Sequence, residues 1–593
     1  MNKRNIGWMR WVRFLSLGRA AFALGAGLVL GGLLASAVPS RSQSEAAPPT
    51  ALPSATAPAE DTKVAAQAVP VTAELLTASL LAKAELFAVK PEPWQDPPEA
   101  GSERPFPLVV DYAKGKVRVG PDGVFQDVRL RTYNGKLVGP TFRVSPGDQL
   151  RINLFNRLPK PDKPMPPMNM DNCGVHEQQD VTNLHTHGLH ISPSGLSDNV
   201  LRVIPPGGPG APAERYFFDI LPAGNPPGEP KIDHHPGTDW YHAHLHGSTA
   251  LQLASGMAGA LLVKGDIDKI PPIEAAKERI FVFQQLAFDK SGEVKSIEDL
   301  NGNWTGKDPD KNGPPKHTSI NGVVKPLITM HPKQVERWRM IDAGVFELLD
   351  LSIRKKADPS QTLPFHLLGL DGITLASVKK TDQLELGPGY RAEALVQAPA
   401  EPGVYELYKS KPAFKLLTFA TAQESALADG PEILAEIVVD DVPCTPATSC
   451  STANIEPGTK LPAPFRDVPE VKLEKKVTFS VVNDAGVTKF KINNECYSES
   501  TVMPEFQLKK GTTEQWLLVN TSGGPHPFHI HVNPFQMLNA DGTVGEWRDT
   551  IIIPPNGQLR MRTRIERFTG KFVLHCHILT HEDRGMMQNV QVE

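Results

Sequence analysis

His575-Cys576-His577 closes the apolar run Phe572-Val573-Leu574 and is followed by His581 and Met586. Such a run reads as a strand end, where successive side chains point to opposite faces. His575 and His577 then share one face, and Cys576 takes the other. A soft thiolate, an imidazole and a thioether belong to the ligand set of a blue-copper electron-transfer site, which still needs a second imidazole. His526, in Pro525-His526-Pro527-Phe528-His529-Ile530-His531, can supply it. The two histidines beside Cys576 are left to bind a second metal on the opposite face. A site that takes up single electrons is thereby joined covalently to another metal site, an arrangement suited to redox chemistry.

A lone histidine is ordinarily packed or solvated, a cysteine beside it is ordinarily just buried, and histidine clusters also hold zinc. Here, however, four His-x-His units occur, at His185/His187, His242/His244, His529/His531 and His575/His577. In this order, with a cysteine inside the last, they resemble the copper signature of the multicopper oxidases, the laccase-like family. The resemblance runs from about Pro107 to the C-terminus. It implies that His185 and His529 hold a type 2 copper, and that His187, His242, His244, His531, His575 and His577 hold a type 3 pair. His526, Cys576 and His581 would bind type 1 copper with Met586 as weak axial ligand, giving four ions in all. Met587 is the rival axial ligand, but the spacing from His581 matches the family for Met586.

Reducing dioxygen to water takes protons as well as electrons, so carboxylates near the ligands matter. Glu582 directly follows a type 1 ligand and resembles the acid that assists dioxygen chemistry in the bacterial spore-coat type of laccase. Asp198, in Leu196-Ser197-Asp198-Asn199, resembles the family's acid behind the first histidine pair. Cys576 would carry the electrons. His246 continues the alternation of His242 and His244, but Gly247 ends the strand pattern, so it is not expected to bind metal. His190, His234 and His235 lie in turn-like surroundings and are expected to be exposed. Met165, Met168 and Met170, in a Pro-rich loop, are the residues that a Cu(I) site would use, although three methionines make a thin case.

These side chains need a scaffold that repeats. Ser145-Pro146-Gly147-Asp148-Gln149-Leu150-Arg151-Ile152-Asn153-Leu154-Phe155-Asn156 is echoed by residues 331–342 and again by 509–520 in its spacing of turn, apolar and terminal Asn/Asp positions. Asn134-Gly135, Asn321-Gly322 and Asn493-Asn494 stand before the three echoes. The period is far too long for a solenoid. With short alternating apolar runs and frequent Gly and Pro turns, the expected body is all-β. Together with the resemblance, this predicts three consecutive cupredoxin-like Greek-key β-barrel domains, at 101–266, 275–440 and 460–593. The second has Pro364-Phe365-His366-Leu367-Leu368 where the third has Pro527-Phe528-His529-Ile530-His531, so it is expected to bind no copper. The first has Ala243 in place of the thiolate and can share only the histidine-lined site.

Residues 1–38 have a basic start, an apolar run and Ala35-Ser36-Ala37, which fits a secretory signal peptide; an uncleaved membrane anchor is the alternative. No Arg-Arg pair marks a twin-arginine signal. Residues 39–100 read as an Ala/Pro/Ser-rich disordered linker with a short helix around Thr72 to Phe87. The formal charge is −4, and removing Lys3, Arg4, Arg10, Arg13 and Arg19 from the acid-free leader takes it to −9, which speaks against nucleic acid as a partner. With Cys576 on a metal, four cysteines remain, of which Cys444 and Cys450 are close enough to bridge.

The expectation is an exported, periplasmic or extracellular monomeric oxidase. It would oxidise phenols, related aromatic donors or a metal ion one electron at a time and reduce dioxygen. A cuprous-ion metallo-oxidase for copper tolerance and a non-enzymatic cupredoxin scaffold are the alternatives.

Overall fold

The computed structural model describes residues 92–119, 124–162, 173, 179–222, 234–286, 288–294, 317–410, 431–484 and 487–593. The leader, most of the linker with its short helix, and Met165, Met168 and Met170 lie outside the described residues. No helix among those described is long and apolar enough to cross a membrane.

The sequence echo is a structural echo. Each copy lies on a strand, Gln149–Asn156, Val335–Asp342 or Thr513–Asn520. Each strand runs parallel to an earlier one, Phe106–Arg118, Lys277–Gln285 and Glu474–Asp484 in turn. On its other side each pairs antiparallel with Glu214–Asp219, Arg391–Gln397 or Gln558–Arg564. A short strand before each echo also pairs parallel with a later one: Phe142–Val144 with Ala258–Val263, Leu327–Met330 with Glu432–Val439, and Gln507–Leu508 with Met587–Val592. Parallel pairs cannot be closed by a tight hairpin, so each repeat crosses between two sheets, which is the cupredoxin-like Greek-key arrangement. The fold is all-β, and among the described residues six sheets of four to six strands make up the body.

The turns before the echoes fit this plan. Asn134 and Gly135 have φ of 51° and 72°, Asn321 and Gly322 have 55° and 81°, and Asn493 and Asn494 have 51° and 68°. Two successive positive φ values are what a two-residue turn between right-twisted strands requires, and Asn and Gly reach them most easily.

A continuous apolar core runs through the middle and last sandwiches, with Trp338, Trp516, Phe281 and Phe528 fully buried. Much of the first sandwich has its own core around Tyr133, Tyr216 and Tyr241. Disulfides join Cys173 to Cys496 and Cys444 to Cys450, leaving Cys576 as the free, buried thiol.

Candidate metal centre

The strand His526–Ile530 pairs antiparallel with Gly570–Cys576 in a register that sets His529 opposite His575 and Phe528 opposite Cys576. Directly opposed residues point to the same side of a sheet. His529 and His575 therefore share one face, while His526, two residues before Phe528, shares the other with Cys576. Cys576 Sγ lies 3.5 Å from His526 Nδ1 and 3.7 Å from His581 Nδ1. His581 comes from the short helix Leu579–Glu582 and stacks on Phe490 at 4.3 Å.

The axial rivals lie on different sides. Met586 is fully buried and stands opposite Cys576, one ladder step beyond the His575–Met587 pair, its carbonyl accepting the Cys576 N–H at 3.0 Å. Met587 pairs in register with His575 and packs with Val573, Leu245 and Tyr497. Only Met586 is placed on the thiol's side.

On the opposite face eight imidazoles converge, all buried. In the first sandwich His185 pairs with His242 across two strands, and His187 with Trp240. Three rings from three chain segments meet by their Nε2 atoms: His244 to His575 at 3.1 Å, His244 to His531 at 3.1 Å, and His531 to His575 at 3.3 Å. His187 stacks on His529 at 3.8 Å between centroids, and His577 lies 5.0 Å from His187.

Several rings are tethered by one nitrogen while the other faces inward without a protein partner. His185 Nδ1 is held by Asp198 at 2.9 Å, His242 Nδ1 donates to the Ala243 carbonyl at 2.8 Å, and His529 Nδ1 donates to the Asp549 carbonyl at 2.8 Å. His187 Nε2 lies 3.2 Å from the Thr550 hydroxyl. The nitrogens without a partner are His185 Nε2, His242 Nε2, His529 Nε2 and His187 Nδ1. A buried polar atom without a partner is costly, and an outer hydrogen bond that fixes the tautomer is how proteins present imidazole to a metal.

Burial holds these imidazoles neutral. It pushes His242 down to about 3, His244 to about 4 and His526 to about 3, and His185, His187, His529, His531, His577 and His581 well below the usual range. Burial also pushes the Cys576 thiol far up, so a bound cation is what would stabilise its thiolate. A thiolate with neutral imidazoles on one face, and imidazole alone on the other, fits copper.

Asp198 and Glu582 both lie against histidines of the cluster. Asp198 is buried against His185 and accepts the Thr186 N–H at 2.9 Å. Burial raises its carboxyl to about 7 despite those Thr186 hydrogen bonds. Glu582 lies with Oε1 3.5 Å from His244 Nδ1 and Oε2 3.2 Å from His575 Nδ1. Burial would raise its carboxyl, but its contacts with His244 and His575 outweigh that and lower it.

The chain aligns with the family model described as multicopper oxidase over residues 469–593. It is 25% identical over 470 residues to a multicopper oxidase of Staphylococcus haemolyticus, covering 78% of this chain and 83% of that one. It is 25% identical over 488 residues to a laccase of Haloferax volcanii, covering 78% and 77%. A solved structure, the Campylobacter jejuni multicopper oxidase described as a metallo-oxidase, matches with a TM-score of 0.63 at 24% identity, over 86% of this chain and 96% of that one. Residues 469–593 thus match the multicopper oxidase model, and over most of its length the chain is similar to multicopper oxidases and laccases. It is a copper-dependent oxidoreductase.

One sequence expectation for this oxidase needs correction, the exposure of three histidines. His190, His234 and His235 are buried, not exposed. Their turns fold inward: His190 Nδ1 donates to the Val532 carbonyl at 2.7 Å and its ring meets Phe568, while His234 and His235 stack at 5.0 Å and His235 packs on Phe465. His246 is buried beside Tyr497 at 4.7 Å, apart from the converging rings. His366 of the middle sandwich is spent on the Ile455 carbonyl at 3.0 Å.

Sequence reasoning missed Asp549 and Thr550, which touch His187 and His529, and Arg391, which holds Asp549. A charged pair, Arg548-Asp549, directly before the apolar strand Thr550–Ile553, was the available signal, as was an arginine opening the buried strand Arg391–Gln397.

Proposed function

We propose that the chain is a laccase-like oxidase that withdraws single electrons from phenolic or related donors at the Cys576 face and reduces dioxygen at the eight-histidine face. The observation that carries this reading is the pleat at Cys576. The thiol sits with His526 and His581, while its covalent neighbours His575 and His577 lie among the opposite imidazoles. Copper bound there would supply one-electron redox steps at one face and multi-electron reduction of dioxygen to water at the other.

The residues divide the work. His526, Cys576, His581 and Met586 would hold the type 1 ion, and His185 and His529 the type 2 ion. The other six imidazoles would hold the type 3 pair, four ions in total. Cys576 provides a through-bond route to His575 and His577. Glu582, against His244 and His575, is placed to pass protons toward the cluster, and Asp198 fixes the tautomer of His185. His526 Nε2 is engaged by the Ser522 hydroxyl at 2.7 Å, so the His581 side is the favoured edge for the donor. The leader-like first 38 residues support export.

The test is dioxygen uptake by copper-loaded protein with phenols, a bile pigment, Fe(II) and Cu(I) as donors. Fastest turnover of phenols supports the laccase-like reading, whereas a strong preference for Cu(I) would replace it with the metallo-oxidase reading. Copper-loaded protein that is colourless and consumes no dioxygen would leave only a scaffold.

A further inference from the structure

Arg391 belongs to the middle sandwich, whose described histidines are all engaged away from the cluster. Its guanidinium is nevertheless fully buried and reaches all three sandwiches. It forks onto Asp549 of the last one, with Nη1 to Oδ1 at 2.8 Å and Nη2 to Oδ2 at 2.7 Å. It donates to the first through Nε to the Thr238 carbonyl at 3.2 Å and Nη2 to Asp239 at 3.2 Å. Its remaining bonds go to the Gly389 and Asp371 carbonyls, at 3.1 and 2.8 Å. A planar fork of this kind sets the plane of a carboxylate as well as its position.

The carboxylate so held looks into the histidine cluster. Asp549 Oδ1 lies 3.5 Å from His187 Nε2 and 3.9 Å from His529 Nδ1. Thr550 donates its hydroxyl proton to Oδ1 at 2.8 Å, and its oxygen lies 3.2 Å from His187 Nε2 and 3.1 Å from His529 Nδ1. The backbone carbonyl of Asp549 receives the His529 Nδ1–H. Asp371, also from the middle sandwich, clamps the same segment: its Oδ2 accepts from Arg548 Nε at 2.6 Å and from the Asp549 and Thr550 N–H groups, each at 3.3 Å.

We propose that Arg391 is a positioning residue for the histidine cluster: by pinning Asp549 it fixes the outward nitrogens of His187 and His529 and leaves His529 Nε2 and His187 Nδ1 for metal. The sandwich that lost its own ligands thus still governs a ligand of the type 2 ion. A junction arginine that only knits the sandwiches together would have no such effect on one metal position. The inference rests on the copper reading above.

The experiment compares copper-loaded wild type, Arg391→Lys and Asp549→Asn. Lysine keeps the charge but loses the fork, and asparagine keeps the size but loses the carboxylate. The measurements are the type 2 copper paramagnetic resonance signal, the blue absorption, copper retention against a chelator, and thermal unfolding of the metal-free protein. The expected result in both variants is copper at the type 2 position held about 10- to 100-fold less tightly, the usual effect of losing an outer partner of a metal-binding histidine. The blue band should persist, because His526, Cys576 and His581 touch neither residue. Wild-type resonance signal and chelator resistance in both variants would overturn the proposal. So would loss of both signals in parallel, or failure of both variants to fold, since either reduces Arg391 to a structural strut. If copper-loaded wild type has no type 2 signal, the copper reading itself falls and this inference falls with it.

Discussion

His529 and His575 lie directly opposite each other across two paired strands, and the next pair in that ladder is Phe528 with Cys576. One step of the pleat therefore separates the thiol's surroundings from the cluster of rings. Replacing Cys576 with serine removes the soft ligand but little volume. The expected variant folds, lacks the intense visible absorption and oxidises no donor, because in the proposed function the sulfur is both chromophore and conduit. An absorption spectrum with unchanged intensity would refute the ligand role.

Met586 and Met587 differ in side as well as in spacing: Met586 stands opposite Cys576 in the strand ladder, and Met587 opposite His575 with Val573 and Leu245 around it. Met586→Leu should raise the reduction potential of the blue site, since the axial ligand tunes it. Met587→Leu should leave the potential in place and cost less than about 1.5 kcal/mol, as a volume-conserving core change. Redox titration of the visible band compares the two, and a shift confined to the Met587 variant would reverse the assignment.

Asp198 tethers His185 at 2.9 Å in a buried pocket. Asp198→Ala should weaken copper retention or slow dioxygen uptake by about 10- to 100-fold. Equilibrium dialysis followed by metal analysis tests the first effect and oxygen-electrode rates the second; wild-type values in both would make Asp198 a bystander.

Gly389 has φ of 88°, and a Cβ there would come within 2.8 Å of the His577 ring. Gly389→Ala should cost about 1–3 kcal/mol through strain and overpacking. It should disturb dioxygen reduction more than the blue band, because His577 lies on the cluster side. Urea unfolding and single-turnover spectroscopy would show this, and an unperturbed variant would mean that His577 is free to move aside.

Glu278 links the first two sandwiches by accepting from Arg339 at 2.5 Å and Arg143 at 2.6 Å. Burial favours its neutral form, but the two guanidinium groups prevail and lower its carboxyl from 4.5 to about 2. Its stabilising contribution is therefore complete above pH 4.5 and is lost as pH falls toward 2. It amounts to on the order of 2 kcal/mol. Glu278→Gln should raise the acid-unfolding midpoint of the metal-free protein. Identical midpoints would show that the pair contributes nothing.

The placement of the candidate ligands was legible because alternation on a strand converts sequence parity into geometry: His575, His577 and Cys576 needed no tertiary information to be sorted onto two faces. The repeat was legible for a similar reason, since a turn, a strand and a closing Asn or Asp recur at each echo. What parity cannot give is depth. His190, His234 and His235 carry the turn residues of a surface loop, yet the packing of one sandwich against another encloses them. Arg391 and Asp549 were invisible for the same reason. They are 158 positions apart in sequence, and their chemistry exists only where three sandwiches meet.

Because the imidazoles come from residues 185–244 and again from 529–577, no growing polypeptide can assemble the cluster until nearly all of it has been translated. Complete metal loading at that position is therefore an event of the finished molecule. A truncated chain ending before Gly570 lacks His575, Cys576, His577 and His581 and should hold no complete set of ions there.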